Sequence, residues 1–332
     1  TLGLIPLSLT YGYLASTMPR SGGDYVYVSR VLGPAWGMMS NFNMTMWWFF
    51  YGGVPSAFLA RYGLAPFFRT MGIFADNPTL IDVGNWFASP AGMFIFGVLL
   101  ISLLIYIFAR GMKGFFRIQN VLIIFAIIST ILSAVVFIGK NPADVMAAIN
   151  NFLGPLSGNP DIAQRILDAA HEYGYVVEPF SLKNTLLPMT WIYLNLSFMS
   201  SSAYMGSEVK DARKLQLWSM PVTLLVVGLG VLVTVLLVMK SAGADLIGSI
   251  SWIDPAELGL SSTPLYTEIA SYLSGNAVVA FLILFGFIFW SYAWLPGQII
   301  NGSRNILAYA IDGLFPAWFR QVHPKLRTPV PA

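Results

Sequence analysis

Apolar residues fall in long blocks along this chain, and charged residues gather in the gaps between them. About 20 apolar residues cross a ~30 Å hydrocarbon core. By that measure the blocks at 1–17, 36–58, 91–109, 118–139, 184–205, 217–239 and 276–300 predict seven membrane-spanning helices. Residues 91–109 (AGMFIFGVLLISLLIYIFA) hold twelve Leu, Ile, Phe or Val and no charge. Those twelve alone favour insertion by about −4 to −7 kcal/mol. One such block would suit the core of a soluble protein; seven would not. The longest gap, 140–183, carries two segments, NPADVMAAINNFLG and NPDIAQRILDAAHEYG, each with Pro near its start and apolar residues at helical spacing. They predict two short amphipathic helices, the second presenting Ile162, Ile166, Leu167 and Ala170 on one face. Residues 264–273 (PLYTEIASYL) predict a third short helix.

Composition agrees with this reading. Charged residues make up 10% of the chain, against about a quarter in soluble domains, and the mean hydropathy is +0.69. The expected class is therefore all-α, a polytopic helical bundle in a membrane. Cys is absent, which removes disulfides and thiolate metal sites, and no cofactor is expected. The net charge of +3 hides an asymmetry. The gaps at 18–35, 110–117, 206–216 and 301–332 carry twelve basic residues: Arg20, Arg30, Arg110, Lys113, Arg117, Lys210, Arg213, Lys214, Arg304, Arg320, Lys325 and Arg327. Against them stand the acids Asp24, Glu208, Asp211 and Asp312. The opposite gaps hold six basic and eleven acidic residues. This bias predicts a cell-membrane protein whose twelve-residue side is cytoplasmic, so that residue 1 lies outside and residue 332 inside. It gives no sign of a nucleic-acid partner. Thr1 opens the chain without a basic n-region or cleavage site, so the first span does not read as a signal peptide. Both ends read as cuts in a longer protein.

Three polar strings are more specific. Pro19-Arg20-Ser21-Gly22-Gly23-Asp24-Tyr25-Val26-Tyr27 precedes Leu32-Gly33-Pro34; its paired glycines permit positive φ and a sharp reversal between helices. Glu208-Val209-Lys210-Asp211-Ala212-Arg213-Lys214 follows the fifth span. Arg304, Asp312-Gly313-Leu314-Phe315-Pro316, His323-Pro324 and Thr328-Pro329-Val330 follow the seventh. In type, order and spacing these resemble signatures of the amino acid–polyamine–organocation superfamily of transporters, with Ala212 standing where that family usually has Pro. The resemblance implies a five-plus-five inverted-repeat fold, of which this chain supplies the second to eighth helices. Residues 1–139 would be the remnant of the first repeat, 140–183 an outer loop, and 184–332 the start of the second repeat. It implies secondary active transport of an amino acid or related amine by alternating access, with membrane lipid around the protein; the residues leave H⁺ coupling, Na⁺ coupling and exchange all open.

Candidate binding residues follow from residue chemistry and from that resemblance together. The fifth span contains Tyr193, Asn195, Ser197, Phe198 and Ser200, with four serines between 197 and 202. Serines there suit close helix packing or a broken helix whose amides and carbonyls hold a polar solute. The resemblance places a break near Ser197–Ser200. Trp48 and Tyr51 lie too deep in the second span for an interfacial belt, next to Gly52 and Gly53. They suit packing, or stacking on a substrate ammonium. In the last span Trp290, Trp294, Gln298 and Asn301 recur at three- and four-residue spacing beside Pro296-Gly297, a polar stripe with an expected kink. Ser303 is a candidate hydroxyl for a coupling cation. No acidic residue falls inside a predicted span, His171 and His323 fall on opposite sides, and no metal-binding motif appears, which argues against an enzyme. A seven-helix receptor or nutrient sensor is the alternative; a retinal protein is disfavoured because 276–300 contains no Lys.

Overall fold

A computed structural model describes residues 2–324 and Pro329, apart from the side chains of Met112 and Lys113. Thr1, Lys325, Arg327, Thr328 and Val330, which entered the span, charge and motif readings above, lie outside the described residues. The chain is all-α. Among the described residues the only β feature is an isolated bridge between Ser21 and Met205.

In chain order the helices are α1 (Ile5–Thr17), α2 (Asp24–Val31), α3 (Pro34–Tyr51), α4 (Gly53–Phe58), α5 (Ala65–Phe74), α6 (Pro78–Ala88), α7 (Pro90–Ala109) and α8 (Met112–Val136). There follow α9 (Pro142–Ser157), α10 (Ile162–Glu172), α11 (Leu182–Leu186), α12 (Met189–Ser197), α13 (Ala212–Ala242), α14 (Ala244–Trp252), α15 (Tyr266–Ser274) and α16 (Ala277–Ile311). Among the described residues four helical stretches are long and apolar enough to cross a membrane: Pro90–Ala109, Gly114–Val136, Ala212–Ala242 and Ala277–Ile311. The other three predicted spans are shorter or interrupted. The first is 13 residues of α-helix, the second breaks at Gly52, and the fifth leaves α geometry at Ser197.

Two boundaries differ from the hydropathy reading. The second span does not stop at residue 58. Helix continues from α4 through a π-helical turn, Leu59–Leu64, into α5. Pro66 withholds an amide from the ladder, and the wider turn just before it accommodates the missing bond. Charge at Arg61 and Arg69 ends a hydropathy block without ending a helix. Likewise α16 runs through Pro296 to Ile311, so residues 301–311, read as a connection, are its last three turns. At 1.5 Å per residue its 35 residues reach ~50 Å.

The helix starts are locally encoded. Asn141 accepts from the Asp144 amide at 3.1 Å while Asp144 accepts from the Asn141 amide at 2.9 Å, closing a capping box on α9. Asn276 accepts from the amides of Val278 and Val279 to open α16. The two amphipathic helices form as expected, as α9 and α10. Ile162, Ile166 and Ala170 are buried, and Ile162 and Ile166, with Leu167 beside them, join a cluster shared with α14, α15 and the start of α16.

α16 is the spine, and α8 packs along it most extensively. Gly286 allows this: a Cβ there would collide with the Phe125 carbonyl oxygen and lie 2.6 Å from Ser129 Cβ. Ser129 Oγ donates to the Ile283 carbonyl at 2.5 Å, and Trp290 Nε1 reaches Thr130 Oγ1 at 2.7 Å. α1 lies along α13, where Gly12 touches the Leu217 carbonyl.

Candidate functional site

α12 ends at Ser197 and the chain continues as a 3₁₀ helix, Phe198–Tyr204, so regular α-helix stops where the serine run begins. The expectation of unpaired peptide groups at this break needs correcting. Ser197 Oγ donates to the Leu194 carbonyl at 2.7 Å, Ser200 Oγ to the Ser197 carbonyl at 2.9 Å, and Asn195 Nδ2 to the Trp191 carbonyl at 2.7 Å. Short polar side chains take up carbonyls that a change from i−4 to i−3 bonding would strand.

The break carries Phe198 into an aromatic cluster. Its ring centroid lies 5.8 Å from Trp48, 6.4 Å from Tyr51 and 5.3 Å from Trp294. Tyr51 and Trp294 meet at 5.5 Å. Trp47, absent from the sequence-based candidates, stacks on Tyr51 at 4.4 Å, and Tyr204 meets Trp48 edge-on at 5.6 Å. Gly52 lies beside Gln298, where a Cβ would make an ordinary contact 3.8 Å from Gln298 Cβ. Two recesses flank the cluster. One, of ≈310 Å³, is lined by Trp48, Gly52, Gln298 and Arg304. The other, of ≈420 Å³, is lined by Asn195, Phe198, Ser201, Trp294 and again Gln298. Both fall in the size range of small-ligand pockets, about 300–1,000 Å³. Gln298 is 2% exposed, yet both its amide atoms, like Trp294 Nε1, lack a hydrogen-bond partner. Buried polar atoms left open in this way point into the recess as donors and an acceptor for a polar guest.

The structure thus gathers Trp48, Tyr51, Gly52, Phe198, Trp294 and Gln298 in one place. Ser197 and Ser200 stand at the break with their hydroxyls turned to local carbonyls. Asn195 is exposed at the edge of the larger recess, and Tyr193, 53% exposed, lies outside the cluster. Ser303 accepts from Arg304 Nη1 at 3.3 Å, so the candidate cation hydroxyl faces a guanidinium, a poor setting for Na⁺.

Below the recess the three polar strings converge. Tyr11 and Tyr204 donate to the two oxygens of Asp24 at 2.5 and 2.6 Å. Tyr25 donates to Asp312 at 2.6 Å, and burial together with that carboxylate pushes its phenol pKa up. Arg304 Nε donates to Glu208 at 2.6 Å. The paired glycines take φ of 109° and 44°, and a Cβ on either would lie 2.8 Å from Ala308 or the Tyr204 ring. That double close approach is the physical reason the string needs glycines. Farther along, Asn41, Thr45, Asn305 and Tyr309 form a buried α3–α16 network: Tyr309 donates to Asn41 at 2.5 Å, and Asn305 to Thr45 at 2.9 Å. Extending the stripe from Trp294, Gln298 and Asn301 by four and eight residues would have found its α16 half.

A family description of amino acid permeases matches residues 1–332. The chain belongs to the amino acid permease family. A search of curated proteins finds no match to it. Membership makes this permease a membrane-embedded transporter of amino acids or amines rather than an enzyme. It accounts for an apolar bundle with polar chemistry at its helix breaks, along an inner stripe and in one set of converging strings.

Proposed function

We propose that this permease carries its amino acid or amine by alternating access, as a secondary active transporter driven by H⁺ or Na⁺. Its motif positions make its membrane helices the second to eighth of a five-plus-five inverted repeat. The substrate sits against Phe198, Trp48, Tyr51 and Trp294, with the open amide of Gln298 meeting its polar end and Ser197 and Ser200 holding the break that brings Phe198 there. Asn195 and Tyr193 lie on the approach to that position. The observation that carries this reading is the α-to-3₁₀ change at Ser197, beside unpartnered Gln298 and an aromatic wall able to face an ammonium. The basic side is cytoplasmic, and the bonds of Tyr11 and Tyr204 to Asp24, beside the strings joined through Tyr25–Asp312 and Arg304–Glu208, close that side in the present conformation.

Uptake of radiolabelled amino acids and polyamines into proteoliposomes of the natural full-length protein, under imposed H⁺ or Na⁺ gradients, tests the reading. Saturable flux of at least one compound is expected; none across the panel would refute it. Trp48→Ala and Trp294→Ala are each expected to raise KM about tenfold, from the loss of ~1–2 kcal/mol of aromatic contact, with insertion intact. Unchanged kinetics in both would remove these residues from the site.

A further inference from the structure

We propose that the recess between the first polar string and the end of α16 is a binding site for the phosphate headgroup of an anionic phospholipid. This recess, ≈390 Å³, is separate from the two beside the aromatic cluster and is lined by Arg20, Ser21, Tyr25, Arg30, Ser207 and Asp312, among others. Its chemistry is that of an anion receptor. Among the described residues neither Arg20 nor Arg30 has an acidic partner within ion-pair distance, whereas Arg69, Arg165 and Arg304 each have one. Two guanidiniums face one carboxylate across the recess, and that carboxylate, Asp312, already accepts from Tyr25. Ser21 Oγ and Ser207 Oγ lie 2.6 Å apart. Whichever donates, the other keeps a hydrogen free for a phosphate oxygen. Guanidinium forks match phosphate oxygens in pairs.

The rim selects lipid over free phosphate. Ile311 lines the recess and is well over half exposed, as are Val31 and Leu32, which directly follow Arg30. A headgroup bound there would have apolar side chains beside it for its acyl chains, which inorganic phosphate could not use. Basic recesses at helix ends suit anionic headgroups for this reason. The occupant would bridge the loop holding Ser21 to the segment holding Ser207 and to α16, the three pieces joined by the converging strings.

The natural full-length protein in phosphatidylcholine nanodiscs, with or without phosphatidylglycerol, provides the test, read as retained lipid by native mass spectrometry. Wild type is expected to retain phosphatidylglycerol, and Arg20→Gln with Arg30→Gln to lower its occupancy about tenfold. Arg20→Lys with Arg30→Lys should keep most of it, which separates lost charge from lost fold. Arg213→Gln with Lys214→Gln, exposed basic residues outside the recess, should leave retention unchanged. Undiminished retention in the Arg20/Arg30 glutamine variant would overturn the site, as would equal loss from the Arg213/Lys214 variant. Inorganic phosphate titrated against the detergent-solubilised protein should give no thermal protection that depends on Arg20 and Arg30. Protection as strong as the lipid's would overturn the lipid assignment.

Discussion

Replacing Glu268 with Gln is expected to destabilise this permease by roughly 3–5 kcal/mol, the cost of leaving one member of a buried ion pair alone. Arg69 on α5 and Glu268 on α15 meet at 3.1 Å with side chains 7% and 2% exposed. Arg69 uses Nε and Nη2, and Glu268 Oε2 also accepts from the Leu265 amide at 3.0 Å, which starts α15. The pair thus ties a short outer helix to the long α3–α5 rod. A guanidinium cannot shed its proton to escape burial, so Arg69 in the Glu268→Gln variant stays charged among apolar neighbours. Arg69→Met should cost a similar amount. Arg69→Met with Glu268→Met should recover most of the loss, because no unpaired charge remains. Thermal and denaturant unfolding of the four proteins measures the cycle. Single-variant losses under ~1 kcal/mol would mean that water reaches the pair.

Removing Asp24 is expected to open the basic side. Asp24→Ala deletes the shared acceptor of Tyr11 on α1 and Tyr204 on the 3₁₀ segment. Hydrogen bonds to a charged group contribute about 1.5–3 kcal/mol each. Discounted for the partial exposure of Asp24, the two together favour the closed arrangement by ~2–3 kcal/mol, a factor of about thirty to 150. Residues 1–332 have no cysteine, so Ala203→Cys, at a position with no exposed surface, gives a reporter within them once any cysteine outside this stretch is replaced. Its labelling by a water-soluble maleimide should quicken at least about tenfold when Asp24→Ala is added. Tyr11→Phe and Tyr204→Phe should each give part of that gain while the protein stays monodisperse. Unchanged labelling in Asp24→Ala would show that the contact does not hold the segment shut.

Much of this was legible in the residues themselves, and the physical reasons are uneven. Spans at 91–109 and 217–239 carry almost nothing but apolar groups, so composition alone fixes them; α7 and α13 follow within a few residues. α9 and α10 were readable because a nearby Pro and an apolar face are local signals, with a capping box added at α9. The run-on of the second span to Phe74 was not, because hydropathy responds to Arg61 and Arg69 while helix geometry does not. Arg69 could not be matched with Glu268 from sequence, since 199 residues separate them. At the candidate site, the structure brings together Trp48, singled out by its depth, Phe198, by the resemblance at the break, and Trp294, by its place in the polar stripe. Trp47 was passed over, yet it stacks on Tyr51. Asn195 reaches only the edge of the larger recess and Tyr193, two residues earlier on the same helix, stays exposed outside the cluster, a matter of rotation about the axis that spacing near a break does not fix.

The Gly286 contact has a mechanical consequence. With no space for even one carbon between α8 and α16, and hydroxyl and indole links above and below it, those two helices can only travel together. α1 and α13, seated on each other through Gly12, make a second lever. On the alternating-access reading, rotation between these levers would bear on the 3₁₀ strap from Phe198 to Tyr204, which packs against α1, α13 and α16 and is tied by Tyr204 to Asp24 and by Ser202 to Gln216. A stroke of the machine would then be registered first as sliding among Trp48, Phe198 and Trp294.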